Sequence, residues 1–398
     1  MRKNTYVCPY CFTTHSKSEL CFRCVNATCK KKPDHVYAKY CYKAPELRQP
    51  AFEGRKKWFG KKKYVGECPY CGRESGQLLC PSCHNVLPGL ERSIETKLFT
   101  VVGGMDAGKS SYLAVLLHEF KRKGACMLNG VASFMDDTSA RVYEEQFLRY
   151  LYPCIGTDPS IRLPKTKSSL AGSTYIGVNR PILMDFKRLE EQKKYTFVFY
   201  DEAGEDFEEE TLMFTMSEQI AASNGIFFFL DPLKISYVRN RLQEAKIKGA
   251  STTEEQYGSD ANVILLRLIK VLRAKYKLLE EERISVPVAV ILPKLDVFTS
   301  LLSRGSPLLR SSMHSEEKGY VRQEGFDVHE ELCGLLHEWG QQEFLYHLAA
   351  NFENYQLFAV SAFGNNPDEY GRFYHPKPVR IEDPFLWMLA QMGVIRAL

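Results

Sequence analysis

Residues 97–110 read Lys-Leu-Phe-Thr-Val-Val-Gly-Gly-Met-Asp-Ala-Gly-Lys-Ser, an apolar strand that runs straight into a loop framed by glycines. The run from Ser111 to Lys123 then has the spacing of an amphipathic helix. Strand, glycine loop and helix in that order restrict this part of the chain to an α/β unit with the loop at a strand's carboxyl end. In Gly-x4-Gly-Lys-Ser, Gly103 and Gly108 let backbone N–H groups turn inward around phosphate oxygens. Lys109 reaches the terminal phosphates and Ser110 offers its hydroxyl to Mg²⁺. The nucleotide-binding set expected here is Gly103, Gly104, Met105, Asp106, Ala107, Gly108, Lys109, Ser110 and Ser111.

Three later segments end in the same way. Tyr195-Thr-Phe-Val-Phe-Tyr-Asp-Glu-Ala-Gly is a buried strand closing on Asp201, which would hold Mg²⁺ through water, with Gly204 placed to sense a γ-phosphate. Val286-Pro-Val-Ala-Val-Ile-Leu leads into Pro293-Lys294-Leu295-Asp296, and Tyr355-Gln-Leu-Phe-Ala-Val leads into Ser361-Ala362-Phe363. Ligands of open α/β sheets lie at the carboxyl ends of the strands, and all four motifs fall there.

These residues resemble the GTPase branch of the P-loop proteins, whose later motifs are Asn/Thr-Lys-x-Asp and Ser-Ala. The resemblance implies that Asp296 accepts hydrogen bonds from the N1–H and 2-amino group of guanine, which adenine cannot supply. It also implies that Lys294 lies along the base and that the Ala362 amide, between Ser361 and Phe363, meets the guanine carbonyl. Two positions depart from the pattern. Pro293 stands where Asn or Thr would brace the phosphate loop, and Glu205 stands where a glutamine would orient water. A carboxylate near a γ-phosphate is repelled, so hydrolysis is expected to be slow or partner-dependent. Asp106 occupies the position of an asparagine in GTPases activated by K⁺ and by dimerisation across the nucleotide, which adds K⁺ to the candidate cofactors. The Mg²⁺-sensing hydroxyl is assigned to Thr166, with Ser168, Ser169 and Thr174 as rivals, in the long stretch 124–194. Arg162 and Arg180 are candidate arginines near that switch.

Cysteines cluster before residue 84: Cys8-Pro-Tyr-Cys11, Cys21-Phe-Arg-Cys24, Cys29, Cys41, Cys68-Pro-Tyr-Cys71 and Cys80-Pro-Ser-Cys83. Paired Cys-x2-Cys knuckles about ten residues apart are the spacing of tetrahedral Zn²⁺ ribbons. The expected second site is Cys68, Cys71, Cys80 and Cys83. The expected first site joins Cys8 and Cys11 to either Cys21 with Cys24 or Cys24 with Cys29. His15, His35 and His84 are read as bystanders, and Cys126, Cys154 and Cys333 as ordinary residues. Residues 1–97 carry 19 Lys/Arg against 8 Asp/Glu, whereas the whole chain carries 53 against 48. The runs Lys30-Lys-Lys and Arg55-Lys-Lys-Trp-Phe-Gly-Lys-Lys-Lys mix cations with aromatics, which suits nucleic-acid contact, protein docking or charge balance around thiolates.

No apolar run reaches membrane-span length and no secretory signal is visible, so a cytoplasmic protein without membrane contact is expected. Residues 304–326 are polar and predict a mobile insertion, and a further insertion is expected near 124–165. Phe385, Leu386 and Trp387 predict a closing helix packed on the sheet. The expected architecture is a zinc ribbon over 1–50, a basic linker and second ribbon over 51–92, and an α/β, Ras-like P-loop GTPase domain with a mainly parallel sheet over 93–398.

Taken together, the amino-terminal thiols, the Gly-Gly-Met-Asp-Ala-Gly-Lys-Ser loop, Asp-Glu-Ala-Gly-Glu, Lys-x-Asp and the final Glu-Asp-Pro-x-Leu-Trp helix are similar to the bacterial double-GTPase family. That resemblance implies a GTP/GDP switch acting with a second GTPase or a second copy of itself in a multi-protein conflict or defence system. A P-loop ATPase module, or a zinc-ribbon adaptor using nucleotide as a structural ligand, are the alternative readings.

Overall fold

The computed structural model describes residues 5–16, 18–41, 43–54, 65–87, 94–152, 181–191, 193–201, 204–208, 210, 213, 216–245, 260–314, 316–364 and 376–398. A seven-stranded sheet forms its centre. The strands are β1 (Ile94–Gly103), β2 (Gly130–Phe134), β3 (Ile182–Arg188), β4 (Lys194–Asp201), β5 (Gly225–Phe229), β6 (Val288–Leu292) and β7 (Tyr355–Ala359), in the spatial order β2-β3-β4-β1-β5-β6-β7. The five strands from β4 to β7 run parallel, while β3 and β2 are antiparallel to their neighbours.

Every residue of β5 and β6 is buried, as both faces of a parallel sheet must be covered. That explains the unbroken runs Gly-Ile-Phe-Phe-Phe and Val-Ala-Val-Ile-Leu, in which no polar residue alternates. On one face, α1 (Lys109–Glu119) and the carboxyl-terminal helix cover Phe99, Phe197 and Phe227. On the other, Val102, Phe228 and Val290 pack with helices from the later part of the chain. Those helices include α3 (Ser236–Glu244), α4 (Ala261–Tyr276), α5 (Arg322–Glu338) and α6 (Gln342–Asn351), preceded in sequence by the short α2 (Gly204–Glu208). The closing helix, α7 (Asp383–Gln391), buries Phe385 against Phe99, Phe120, Phe197 and Phe199, and Trp387 against Phe358, as expected. Among the described residues no helix is long and apolar enough to cross a membrane.

The stretch expected to be a mobile insertion near 304–326 is instead tied into the core by buried charges. Arg380 bonds Asp383 and Glu324 at 2.8 Å each and the Pro307 carbonyl at 2.9 Å, and Ser312 donates to Asp383. His314, 2% exposed, lies between Glu324 and Asp383. A polar sequence looks loose when the counter-charge of Glu324, here Arg380, lies 56 residues away.

Candidate functional site

The thiols of the amino-terminal region form two tetrads, Cys8, Cys11, Cys80 and Cys83, and Cys24, Cys29, Cys68 and Cys71. This corrects the expected grouping: Cys68 and Cys71 are not gathered with Cys80 and Cys83, and Cys21 stands outside both tetrads. The cause is strand pairing. Residues 21–23 form the middle strand of a three-stranded sheet, with Cys21 opposite both Glu53 and Leu79, so the first knuckle is carried to the last. Cys21 itself lies buried within that strand, and Cys24 with Cys29 supplies the second tetrad's amino-terminal half. The ligand sets therefore interleave across the expected 50/51 division.

The geometry suits a tetrahedral ion. Sγ atoms stand 3.7 Å apart for Cys8 and Cys83, and 3.6 Å for Cys11 with Cys80 and for Cys24 with Cys71. Zn–S bonds of 2.3 Å at tetrahedral angles give an edge of about 3.8 Å. The three Cys-Pro-x-Cys knuckles repeat one backbone pattern, with Phe12, Gly72 and His84 each at positive φ and donating back to the carbonyl of the knuckle's first cysteine. His15 brings Nε2 to 3.4 Å from Cys80 Sγ, outside the ligand set but against it. Lys32 stacks over Tyr70 and Arg48 over Tyr37, so part of the basic surface is used within the fold. The run 55–63 lies outside the described residues. Tyr10 and Phe12 pack on Leu98, Leu183, Val198 and Tyr200, which docks the first knuckle on the strand that ends in Asp201.

At the sheet's carboxyl edge, β1 delivers Gly103 into the loop, and Gly108, at φ 80, turns it into α1. Asp106 also adopts the left-handed region, at φ 56, where Asp is among the better tolerated residues. Lys109 is folded inward and donates at 2.8 Å to the carbonyls of Gly103 and Gly104. Burial pushes its ammonium down to about 8, partly offset by the charges of Asp201, Glu208 and Asp106, while Lys234 adds to the depression. Asp201 lies opposite Val101 in the parallel register, one strand from the loop. The Ser110 hydroxyl at the start of α1 and the Asp201 carboxylate are hard oxygen donors of the kind Mg²⁺ takes, so the residues present fit that ion.

Gly204 begins α2 directly on the loop: a Cβ there would lie 2.5 Å from the Met105 N and Cα. Pro293, in the place of the expected brace, packs on the loop instead, its Cβ 3.4 Å from where a Gly108 side chain would start. Lys294, at φ 61, pairs its Nζ with Asp231 Oδ2 at 2.6 Å. Asp296 Oδ1 accepts from Ser361 Oγ, and Ser361 Oγ accepts from Gly364 N–H at 2.8 Å. The Leu295 N–H bonds the Val360 carbonyl at 3.0 Å, which joins the two loops, while Ala362 and Phe363 are half-buried against the core. Lys109, Asp201, Gly204, Lys294, Asp296 and Ser361 thus meet at one edge of the sheet. Thr166, Ser168, Ser169, Thr174, Arg162, Arg180, Cys154 and the Glu205 side chain lie outside the described residues.

Residues 97–331 match the Double-GTPase 2 family. The chain belongs to that family. GTP is therefore the nucleotide that membership implies for this loop, and its hydrolysis the implied chemistry. The chain is also similar to a putative ESX-1 scaffolding and assembly protein, SaeC, of Mycolicibacterium smegmatis, at 25% identity over 337 residues, or 80% of each chain. Sequence reasoning had passed over Asp231, Glu208 and Lys234. Asp231 follows a wholly apolar strand, much as Asp201 ends a largely apolar one, and that parallel was the available signal.

Proposed function

We propose that this double-GTPase family member is a Mg²⁺-dependent GTP-binding switch that hydrolyses GTP slowly by itself and faster with a partner or a second copy. The reading rests chiefly on one observation, the meeting of the phosphate loop with the bonded Asp296–Ser361 pair at a single sheet edge. In this reading Gly103 to Ser111 cradle the phosphates, Lys109 leaves the Gly103 and Gly104 carbonyls for the β- and γ-phosphates, and Ser110 and Asp201 hold Mg²⁺. Gly204 reports the γ-phosphate, and Asp296, Lys294 and Ala362 read guanine. Mg²⁺ would supply charge neutralisation on the phosphate oxygens.

The two thiol tetrads would hold Zn²⁺ and fix a docking module on β4 through Phe12 and Tyr200. Kinship with a protein described as scaffolding and assembly favours protein partners, with a defence system as the setting that the family resemblance suggests and the cytoplasm as the location. Asp106 as a K⁺ ligand is the finest part of the proposal, and equal turnover in K⁺ and Na⁺ removes it. The decisive test is displacement of a fluorescent GTP analogue from the purified, zinc-loaded chain. Displacement by unlabelled GTP and not by ATP supports the switch, whereas equal displacement by ATP assigns the chain to an ATPase role.

A further inference from the structure

Two charges that the nucleotide reading leaves unused converge on the phosphate loop. Glu208, at the end of α2, accepts the Met105 N–H at 2.9 Å through Oε1. Lys234, in the turn Pro232–Lys234 after β5, brings Nζ to 3.9 Å from the same oxygen. That ammonium is shielded from water and has no hydrogen-bond partner among the described residues. A side chain added to Gly104 would meet Glu208 Oε1 and Lys234 Nζ at 3.1 Å each, so both charges stand over one peptide of the loop. An ammonium offers three donors, and a buried one is costly unless an anion faces it. Among the described residues Lys234 is therefore held by one long ion pair, with Glu208.

Both ends of α2 consequently grip the loop, Gly204 by backbone contact and Glu208 by its carboxylate. In the nucleotide reading above, a diphosphate would end one phosphate short of the Gly204 amide and leave this grip in place. A triphosphate brings further negative charge toward the Glu208 carboxylate and needs room where Gly204 rests on Met105. We propose that Glu208 and Lys234 set the balance between di- and triphosphate. The Glu208 carboxylate favours GDP by holding α2 down, and Lys234 favours GTP because the added phosphate charge replaces the partner it loses. Each is a specificity-determining residue for the site, and the inference rests on the nucleotide reading above.

The test measures Kd for GDP and for a non-hydrolysable GTP analogue by calorimetry, on the full zinc-loaded chain with Mg²⁺, for wild type, Glu208→Gln and Lys234→Met. Removing the carboxylate's charge is expected to tighten the triphosphate by about tenfold, the size of one charge-assisted contact, with GDP moving by less than about threefold. Lys234→Met is expected to weaken the triphosphate by about tenfold relative to GDP. Because the ratio of the two constants is read, a smaller active fraction in either variant cancels, and either variant alone decides the matter. Equal shifts for both ligands, or none, in a chain whose wild type binds nucleotide would overturn the inference alone. A wild-type chain that binds neither nucleotide would overturn the nucleotide reading and this inference with it.

Discussion

Cys83→Ser separates the interleaved tetrads from any sequential arrangement of ribbons. In the structure Cys83 belongs with Cys8, Cys11 and Cys80, and Cys8 and Cys83 lie 75 residues apart in sequence. Treated as a cross-link, closing a loop of that length removes chain entropy equivalent to about 4.5 kcal/mol, and the loop of 47 residues from Cys24 to Cys71 about 4 kcal/mol. The two tetrads are thus of similar worth, and loss of one should leave the other closed. We expect Cys83→Ser to release one of two zinc ions and to open Cys8, Cys11 and Cys80 to alkylation while Cys24, Cys29, Cys68 and Cys71 stay protected. Zinc release can be followed with a chromophoric chelator, and alkylated positions by peptide mass mapping of the native chain. The three opened thiols are each well shielded in the closed tetrad or bonded within it, with Cys8 and Cys80 at 0% exposure, so the contrast is large. Loss of protection at Cys68 and Cys71, with Cys8 and Cys11 still closed, would refute the pairing.

Nucleotide affinity should depend on the Lys109 proton. The free-state ammonium lies at about 8 and a bound phosphate raises it, so affinity is full below pH 8 and falls by up to about tenfold per unit above it; an affinity unchanged from pH 7 to 9 would contradict this. Glu382 is raised by burial to about 7, so its neutral form contributes stability that is complete below pH 4.5 and lost as pH rises through 7. Glu382→Gln should therefore leave stability unchanged at pH 4 and raise it at pH 8, by as much as about 3 kcal/mol in denaturant titrations; equal effects at both pH values would count against it. Phe385→Ala, which empties the site where four phenylalanines meet the closing helix, should cost about 3–5 kcal/mol by the same titration, and a loss below about 1 kcal/mol would show that α7 does not close the core.

The phosphate loop and the strands leading to Asp201, Asp296 and Ser361 were legible in the sequence because each signal is local. An apolar run, a glycine turn and a charged residue within ten positions are enough. The tetrads were only half legible, since thiol spacing names the ligands but the pairing of residues 21–23 with 78–79 decides their partners. Cys21 illustrates this: it shares a Cys-x2-Cys knuckle in sequence and occupies a strand in the fold. Glu208 and Lys234 look like ordinary solvated charges until α2 and the turn after β5 bring them to Gly104. The buried Arg380, Glu324 and Asp383 cluster shows the same limit, because charges far apart in sequence read as surface until their partners are known.

The central claim, a guanine site built from Asp296, is tested most directly by Asp296→Asn. Exchanging the carboxylate for an amide replaces an acceptor with a donor at the base edge. With Ser361 still present to bond the side chain, the fold should be kept. We expect the variant to lose GTP and gain xanthosine triphosphate, each by at least about a hundredfold in Kd, measured by competition against a fluorescent analogue. Unchanged GTP affinity in a variant that remains folded would contradict the account and leave Asp296 a partner of Ser361 alone.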